Sequence, residues 1–177
     1  MKKYIEKVVI NLIYFLFSYR NAKSLIVELK SFFLEPTPKT PQVDLNNLTG
    51  ELILSGKSIP ENAALIYEGI MKWILEYIKD PRPYTNLRLN LEYFNTASAI
   101  WLGKIVQALG SMKDPENTLM IHLYFSIEEF DTMDADDLKD ELHPLIHLIG
   151  VPTINIGIKI YGTDEKGEIL KESMILL

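Results

Sequence analysis

The sequence predicts an α/β layer fold: a mixed sheet of about five strands with crossover helices, plus an N-terminal helical extension. Three observations carry that expectation. Leu87, Leu89, Leu91 and Tyr93 alternate with Arg88, Asn90, Glu92 and Phe94 as the two faces of a strand do, and Ile154, Ile156, Ile158 and Ile160 repeat the alternation near the C-terminus. Ala63, Ile66, Tyr67, Ile70, Trp73, Ile74, Tyr77 and Ile78 recur at helical spacing, as do Ala97, Ile100, Trp101, Ile105, Ala108, Leu109 and Met112. The two kinds of segment then alternate along the chain, which is what crossover connections require.

Taken in order, the first element is a helix. Ile5, Val8, Val9, Leu12, Ile13 and Leu16 lie on one helical face, and Leu25, Ile26 and Leu29 extend the pattern after a break near Tyr19. Lys2, Lys3 and Lys7 precede the apolar run Val8 to Phe17 as in a secretory signal, but Arg20 and Lys23 stand where a small-residue cleavage site belongs. The run is about half the roughly 20 residues of a membrane span. Residues 1–32 are therefore set apart as an apolar extension. A docked or partner-binding helix, a membrane-surface helix making peripheral contact, a signal and a start-site extension are the open readings.

Pro36, Pro38 and Pro41 forbid a helix and lead into a domain spanning residues 33–162. Val43 and Leu45 pair with Glu51 to Ser55 as a hairpin around the turn-rich Asn46 to Gly50. Ser58 and Glu61 have the spacing of a capping box, so the next helix is expected to start at Ser58 and run to Lys79, where Asp80, Pro81 and Pro83 stop it. The strand through Leu91 follows, then the helix from Ala97, a strand from Leu119 to Phe125, an acidic helix from Asp134 to Leu148 ending at Gly150, and the isoleucine strand. Residues 163–177 hold a turn at Thr163 to Gly167 and a possible edge strand.

Composition narrows the function. At 177 residues and 47% hydrophobic content the chain has enough apolar material for one domain with an appendage. The absence of cysteine excludes disulfides, thiol nucleophiles and thiolate metal sites, and agrees with a cytoplasmic location. A net charge of −6 opposes non-specific binding to nucleic acid. Glu128, Glu129, Asp131, Asp134, Asp136, Asp137, Asp140 and Glu141 form an acidic run, but Met133, Ala135 and Leu138 break the calcium-loop template. His143 and His147 lie four apart, yet Pro144 sits between them and the intervening glutamate of the metalloprotease pattern is missing. His122 reads as a packed or edge histidine. A small hydrolase built from the acidic run and these histidines is the minor alternative; no catalytic residue, metal or cofactor is expected.

The strand through Phe94 ends in Asn95 and Thr96 where helical periodicity begins. Position alone makes Thr96 a helix cap, and Asn95 a turn residue. Tyr93 and Phe94 flank the junction from opposite faces, so one of them is expected in the core and the other free for contact. Ser98 is the second hydroxyl of the junction. A phosphate on Thr96 would meet unsatisfied amides and the positive end of the helix dipole.

The strings Thr40-Pro41-Gln42-Val43, Gly56-Lys57-Ser58-Ile59-Pro60-Glu61-Asn62 and Tyr93-Phe94-Asn95-Thr96-Ala97-Ser98 resemble, in order and spacing, those of the SiaC family of bacterial regulatory phosphoproteins. The resemblance runs from about Phe33 to Ile160; Ile59 and Ala97 depart from the aromatic and the serine usual in the family. It implies a STAS-like fold and makes Thr96 the phosphorylated residue, with Tyr93, Phe94, Asn95 and Ser98 flanking it. It further implies a Ser/Thr protein kinase, a PP2C-type phosphatase, and a diguanylate cyclase bound and activated by the unphosphorylated form, hence cyclic-di-GMP and biofilm signalling. A constitutive scaffold in which Thr96 only caps its helix is the main alternative.

Overall fold

Among the described residues, seven strands hydrogen-bond in strict chain order into one mixed sheet. The structure, a computed structural model, describes residues 29–132, 147, 149 and 152–176. The strands are β1 (Phe32–Leu34), β2 (Gln42–Asn46), β3 (Glu51–Ser58), β4 (Tyr84–Phe94), β5 (Thr118–Ser126), β6 (Asn155–Thr163) and β7 (Ile169–Leu176). Helix α1 (Ala64–Tyr77) connects β3 to β4, α2 (Thr96–Gly110) connects β4 to β5, and a short α3 (Ile127–Thr132) follows β5. The strands β3 to β6 are parallel, as crossover connections dictate, while β1–β2, β2–β3 and β6–β7 are antiparallel.

The expected sheet of about five strands is thus seven. The additional strands are edge strands: β1 is three residues long and precedes the prolines, and β7 pairs with β6 from Gly157 to Thr163 after the Thr163 to Gly167 turn.

Register assigns the two faces. Leu52, Leu54, Leu87, Leu119, Ile121, Ile156, Ile158 and Ile160 point to one side, where they form a single core with Tyr67, Ile70, Ile74 and Tyr77 of α1 and Leu102, Ile105 and Leu109 of α2. Alternate residues of the same strands, Glu51, Asn86, Arg88, His122 and Tyr161, point to the other side. There Arg88 Nε donates to Glu51 at 2.7 Å, Asn86 Nδ2 donates to the same carboxylate at 2.7 Å, and His122 contacts Asn86 and Tyr161 at 3.0 Å each.

Helix α1 starts at Ala64, six residues later than the capping-box reading places it. Ser58 is instead the last residue of β3 and is fully buried, while Glu61 forms a surface ion pair with Lys39 at 2.6 Å. The start of α1 has no side-chain cap from Ala63. A capping box does occur before α3, where the Ser126 amide donates to the Glu129 carboxylate at 3.0 Å and the Glu129 amide to the Ser126 hydroxyl at 3.2 Å. The acidic helix expected from Asp134 to Leu148 falls outside the described residues except at position 147, and the extension before residue 29 falls outside them entirely. Among the described residues no helix is long and apolar enough to cross a membrane.

Candidate functional site: the β4–α2 corner

Strand β4 outruns its neighbour. It pairs with β5 only as far as Leu89, but with β3 as far as Phe94, and that second pairing slips by one residue between Gly56 and Lys57. Gly56 takes the slip with a φ of +86°, a conformation that glycine adopts without steric hindrance. The slip interrupts the two-residue alternation just before the corner. Tyr93 and Phe94 are consequently both exposed, at 62% and 47%, and the expectation that one of them enters the core does not hold.

Asn95 is extended (φ −87°, ψ 169°) and caps α2, its side-chain oxygen accepting from the Ser98 amide at 2.9 Å. Its side-chain nitrogen donates to the Pro60 carbonyl at 3.3 Å, and its backbone amide donates to the Ser58 carbonyl at 3.0 Å. Asn95 therefore does more than turn the chain. Because it occupies the cap, Thr96 is the first helical residue and not a cap. Thr96 is exposed, and its hydroxyl has no hydrogen-bond partner among the described residues.

Ser98, two residues on, is fully buried. Its hydroxyl donates to the Ser58 carbonyl at 2.9 Å and accepts from the Ser58 hydroxyl at 2.8 Å. The Ser58 hydroxyl lies 2.7 Å from the Tyr67 phenol. With those two donors committed, the consistent assignment runs Tyr67 to Ser58 to Ser98 to the Ser58 carbonyl, a chain in which every buried proton has an acceptor. Burial pushes the Tyr67 phenol above its ordinary pKa, against the pull of its serine partners. Ser98 is thus an internal tie joining α2 to the end of β3, and it cannot meet a partner in the way the flanking assignment expects.

The corner combines a fixed frame with one open aliphatic hydroxyl. The amides of Thr96 and Ala97 head a helix that cannot itself satisfy them, so they favour an anion. The cations on the adjoining segments are engaged: Lys57 lies 3.8 Å from Glu92 and Lys39 2.6 Å from Glu61. Sequence reasoning does not single out Ser58 and Tyr67 as site residues; the forty-residue separation between Ser58 and Ser98 leaves no local signal for their contact.

Among the described residues, those of the hydrolase reading do not converge. His122 is 5% exposed in β5, on the face opposite the helices, with its pKa lowered to about 4 by burial and by the neighbouring Arg88 guanidinium. Glu128, Glu129 and Asp131 lie on α3, which packs on the other face against Gly162, and Asp131 pairs with Lys171 at 2.6 Å. Asp134, Asp136, Asp137, Asp140, Glu141 and His143 fall outside the described residues, and His147 is exposed. Among the described residues no group of three or more histidines or carboxylates is placed to hold a metal ion.

Comparison with known proteins gives a family and a fold. The family model for the SiaC family regulatory phosphoprotein matches residues 34–150. Among solved structures, apo-SiaC from Pseudomonas aeruginosa superimposes with a TM-score of 0.55 at 19% identity, over 71% of this chain and 97% of its own. The structure of the diguanylate cyclase SiaD in complex with its activator SiaC, from the same organism, matches with a TM-score of 0.57 at 18% identity, over 73% of this chain and 99% of that one. A comparison with curated protein sequences finds no significant match. With a family match over most of its length and the same fold in solved members, the chain belongs to the SiaC family of regulatory phosphoproteins.

Proposed function

We propose that this protein is a non-catalytic switch, controlled by reversible phosphorylation of Thr96, which in its unphosphorylated form binds and activates a diguanylate cyclase. The observation that carries the reading is the contrast across two residues: the Thr96 hydroxyl is open, while the Ser98 hydroxyl is sealed and tied. A Ser/Thr kinase acting here has one accessible hydroxyl in a corner whose frame is already hydrogen-bonded. Phosphate adds about −1.5 to −2 charges at neutral pH. Beside exposed Tyr93 and Phe94, that charge must be stripped of water when a partner closes over it, which costs several kcal/mol if unpaired, roughly enough to abolish binding.

Family membership supports the regulatory role, and the partnership of SiaC with SiaD in Pseudomonas aeruginosa supports a diguanylate cyclase as client. The same reading supplies a Ser/Thr kinase and a PP2C-type phosphatase in the cytoplasm, cyclic-di-GMP as the output, and STAS-like partner switching as the mode of action. The test uses Thr96→Ala and Thr96→Glu. The alanine variant takes up no phosphate from the kinase and binds the cyclase as the unmodified protein does; the glutamate variant binds it poorly. Equal cyclase binding by the two variants would refute the switch.

A further inference from the structure

We propose that β7 is a homodimerisation edge: two copies of this chain pair their β7 strands antiparallel, with Met174 facing Met174 of the second copy, to make one continuous sheet. The strand at the end of a sheet presents backbone amides and carbonyls that have no ladder partner, and folded domains blunt such rows by shortness, proline, charge or a cover. The two ends of this sheet differ. β1 is three residues long and is followed by Pro36 and Pro38, so that end is blunted. β7 runs for eight residues without proline or glycine, and among the described residues no strand pairs with its outer edge.

The side chains agree with the backbone. Register with β6 sets Glu172, Met174 and Leu176 opposite Tyr161, Lys159 and Gly157 on the face away from the helices, and Lys171, Ser173 and Ile175 on the helical face. Met174 is 53% exposed and Leu176 72%, although Leu176 reaches over Gly157 beside Met120. Lys171, the one cation of the strand, pairs with Asp131 at 2.6 Å and so does not guard the edge. The irregularity at Leu170, where β7 slips against β6, confines the regular ladder to the stretch from Lys171 onward.

That stretch fits a second copy of itself. It carries one cation and one carboxylate and is therefore neutral, in a chain whose net charge of −6 otherwise opposes self-association. An antiparallel pair of identical edges has its two-fold axis perpendicular to the sheet, so one residue must face its own copy. Centring on Lys171 or Glu172 sets like charges directly opposite, and centring on Ser173 leaves the two Glu172 carboxylates diagonal neighbours, about 7–8 Å apart along the backbone. Centring on Met174 sends the charged residues to the two ends of the ladder. It pairs Ser173 with Ile175 and Glu172 with Leu176, and it gathers the exposed apolar side chains around the axis. An edge pairing of this length covers less than the about 800 Å² per partner of a standard stable interface, so the dimer is reversible. β7 lies beyond residues 34–150, which the family model matches, and β5 and β6 separate it from β4. The pairing does not depend on phosphorylation of Thr96.

The test uses the full chain. Sedimentation equilibrium shows a monomer–dimer equilibrium for the wild-type protein. Met174→Lys and Met174→Glu are each monomeric at concentrations where the wild type dimerises, and an equal mixture of the two restores the dimer, because opposite charges then face each other across the axis. Failure to fold would not be rescued by mixing. Since the chain has no cysteine, a single engineered thiol can link only to another copy. Met174→Cys forms the disulfide-linked dimer at least about tenfold faster than Glu172→Cys on the same face, because only directly opposed residues meet the geometry of the bond. A wild-type protein that stays monomeric at millimolar concentration, a dimer that persists in both charged variants, a mixture that remains monomeric, or equal linking rates for the two cysteine variants would each overturn the proposal.

Discussion

Replacing Ser98 by alanine removes one buried hydroxyl and breaks the order of a three-proton chain. In the native chain the Tyr67, Ser58 and Ser98 protons each have an acceptor, and the Ser58 carbonyl also accepts from the Asn95 amide. Without the Ser98 oxygen, the Ser58 and Tyr67 hydroxyls share one bond between them and one buried proton is orphaned. An orphaned buried donor costs about 1–3 kcal/mol. At about 2 kcal/mol, with a urea dependence of about 2 kcal/mol per M, the unfolding midpoint falls by about 1 M. Tyr67→Phe removes a proton from the free end of the chain and orphans none, so its loss is about 0.5–1.5 kcal/mol and smaller than that of Ser98→Ala. Thr96→Ala, two residues away on an exposed and unbonded hydroxyl, changes stability by less than about 0.5 kcal/mol. Urea titrations of the three variants followed by circular dichroism read the order directly. A Ser98→Ala protein as stable as wild type, or a Tyr67→Phe protein that loses more, refutes the directional chain.

Asn95→Ala loses the cap of α2, about 1 kcal/mol, and lowers the melting temperature by about 2–4 °C, whereas Asn95→Asp retains the acceptor and most of the stability; thermal scans distinguish them. His122 has its folded pKa lowered to about 4 from the ordinary 6.5, with Arg88, Lys159 and Glu51 facing it. Between those values the unfolded chain binds the proton that the folded chain refuses, so stability falls as pH drops from about 6.5 towards 4, by at most about 1.4 kcal/mol per unit, and His122→Gln removes that slope from urea midpoints measured across the window. Gly50 has a φ of +76° and an added Cβ would collide with the Tyr84 carbonyl oxygen, so Gly50→Ala destabilises by at least about 1–3 kcal/mol and is recognised by a lowered urea midpoint. Phosphorylated Thr96 protein melts within a few degrees of the unmodified form, because a charge at a helix start contributes only about 0.3–1 kcal/mol; a large shift in a thermal scan contradicts an outward-acting switch.

The central strands and both long helices are legible in the sequence because their apolar residues keep one period over many positions. Leu87 and Ile156 to Ile160 do face the core, and Tyr67, Ile70, Ile74 and Tyr77 do line the buried face of α1. Sequence reading fails where a local pattern has a distant competitor. Ser58 and Glu61 have the spacing of a cap, but the Ser58 hydroxyl is claimed by Tyr67 and Ser98 and its backbone by β4, so the helix starts later. Tyr93 and Phe94 follow a clean alternation that one glycine, Gly56 on the neighbouring strand, puts out of step. Within the corner, Thr96 and Asn95 are visible as the end of a strand and the start of a helix; which of them caps is not, since both residue types serve and only the extended backbone of Asn95 decides it.

The charges around the corner determine the direction in which a phosphate acts. A phosphate reorganises its own domain when it finds unpaired cations to gather, as in loops that order around arginine clusters. Here the adjoining Lys57 and Lys39 are held by Glu92 and Glu61, and Arg88 is on the far face of the sheet, tied to Glu51. What the described residues at the helix start offer a dianion is a pair of backbone amides, while Asn95 and the Ser58–Ser98–Tyr67 chain hold the frame in place. The free energy of the modification then has no internal conformational change to drive. Under the proposed switch it falls on whatever closes over Tyr93 and Phe94, and the bonded frame of the corner and its one open aliphatic hydroxyl then act together.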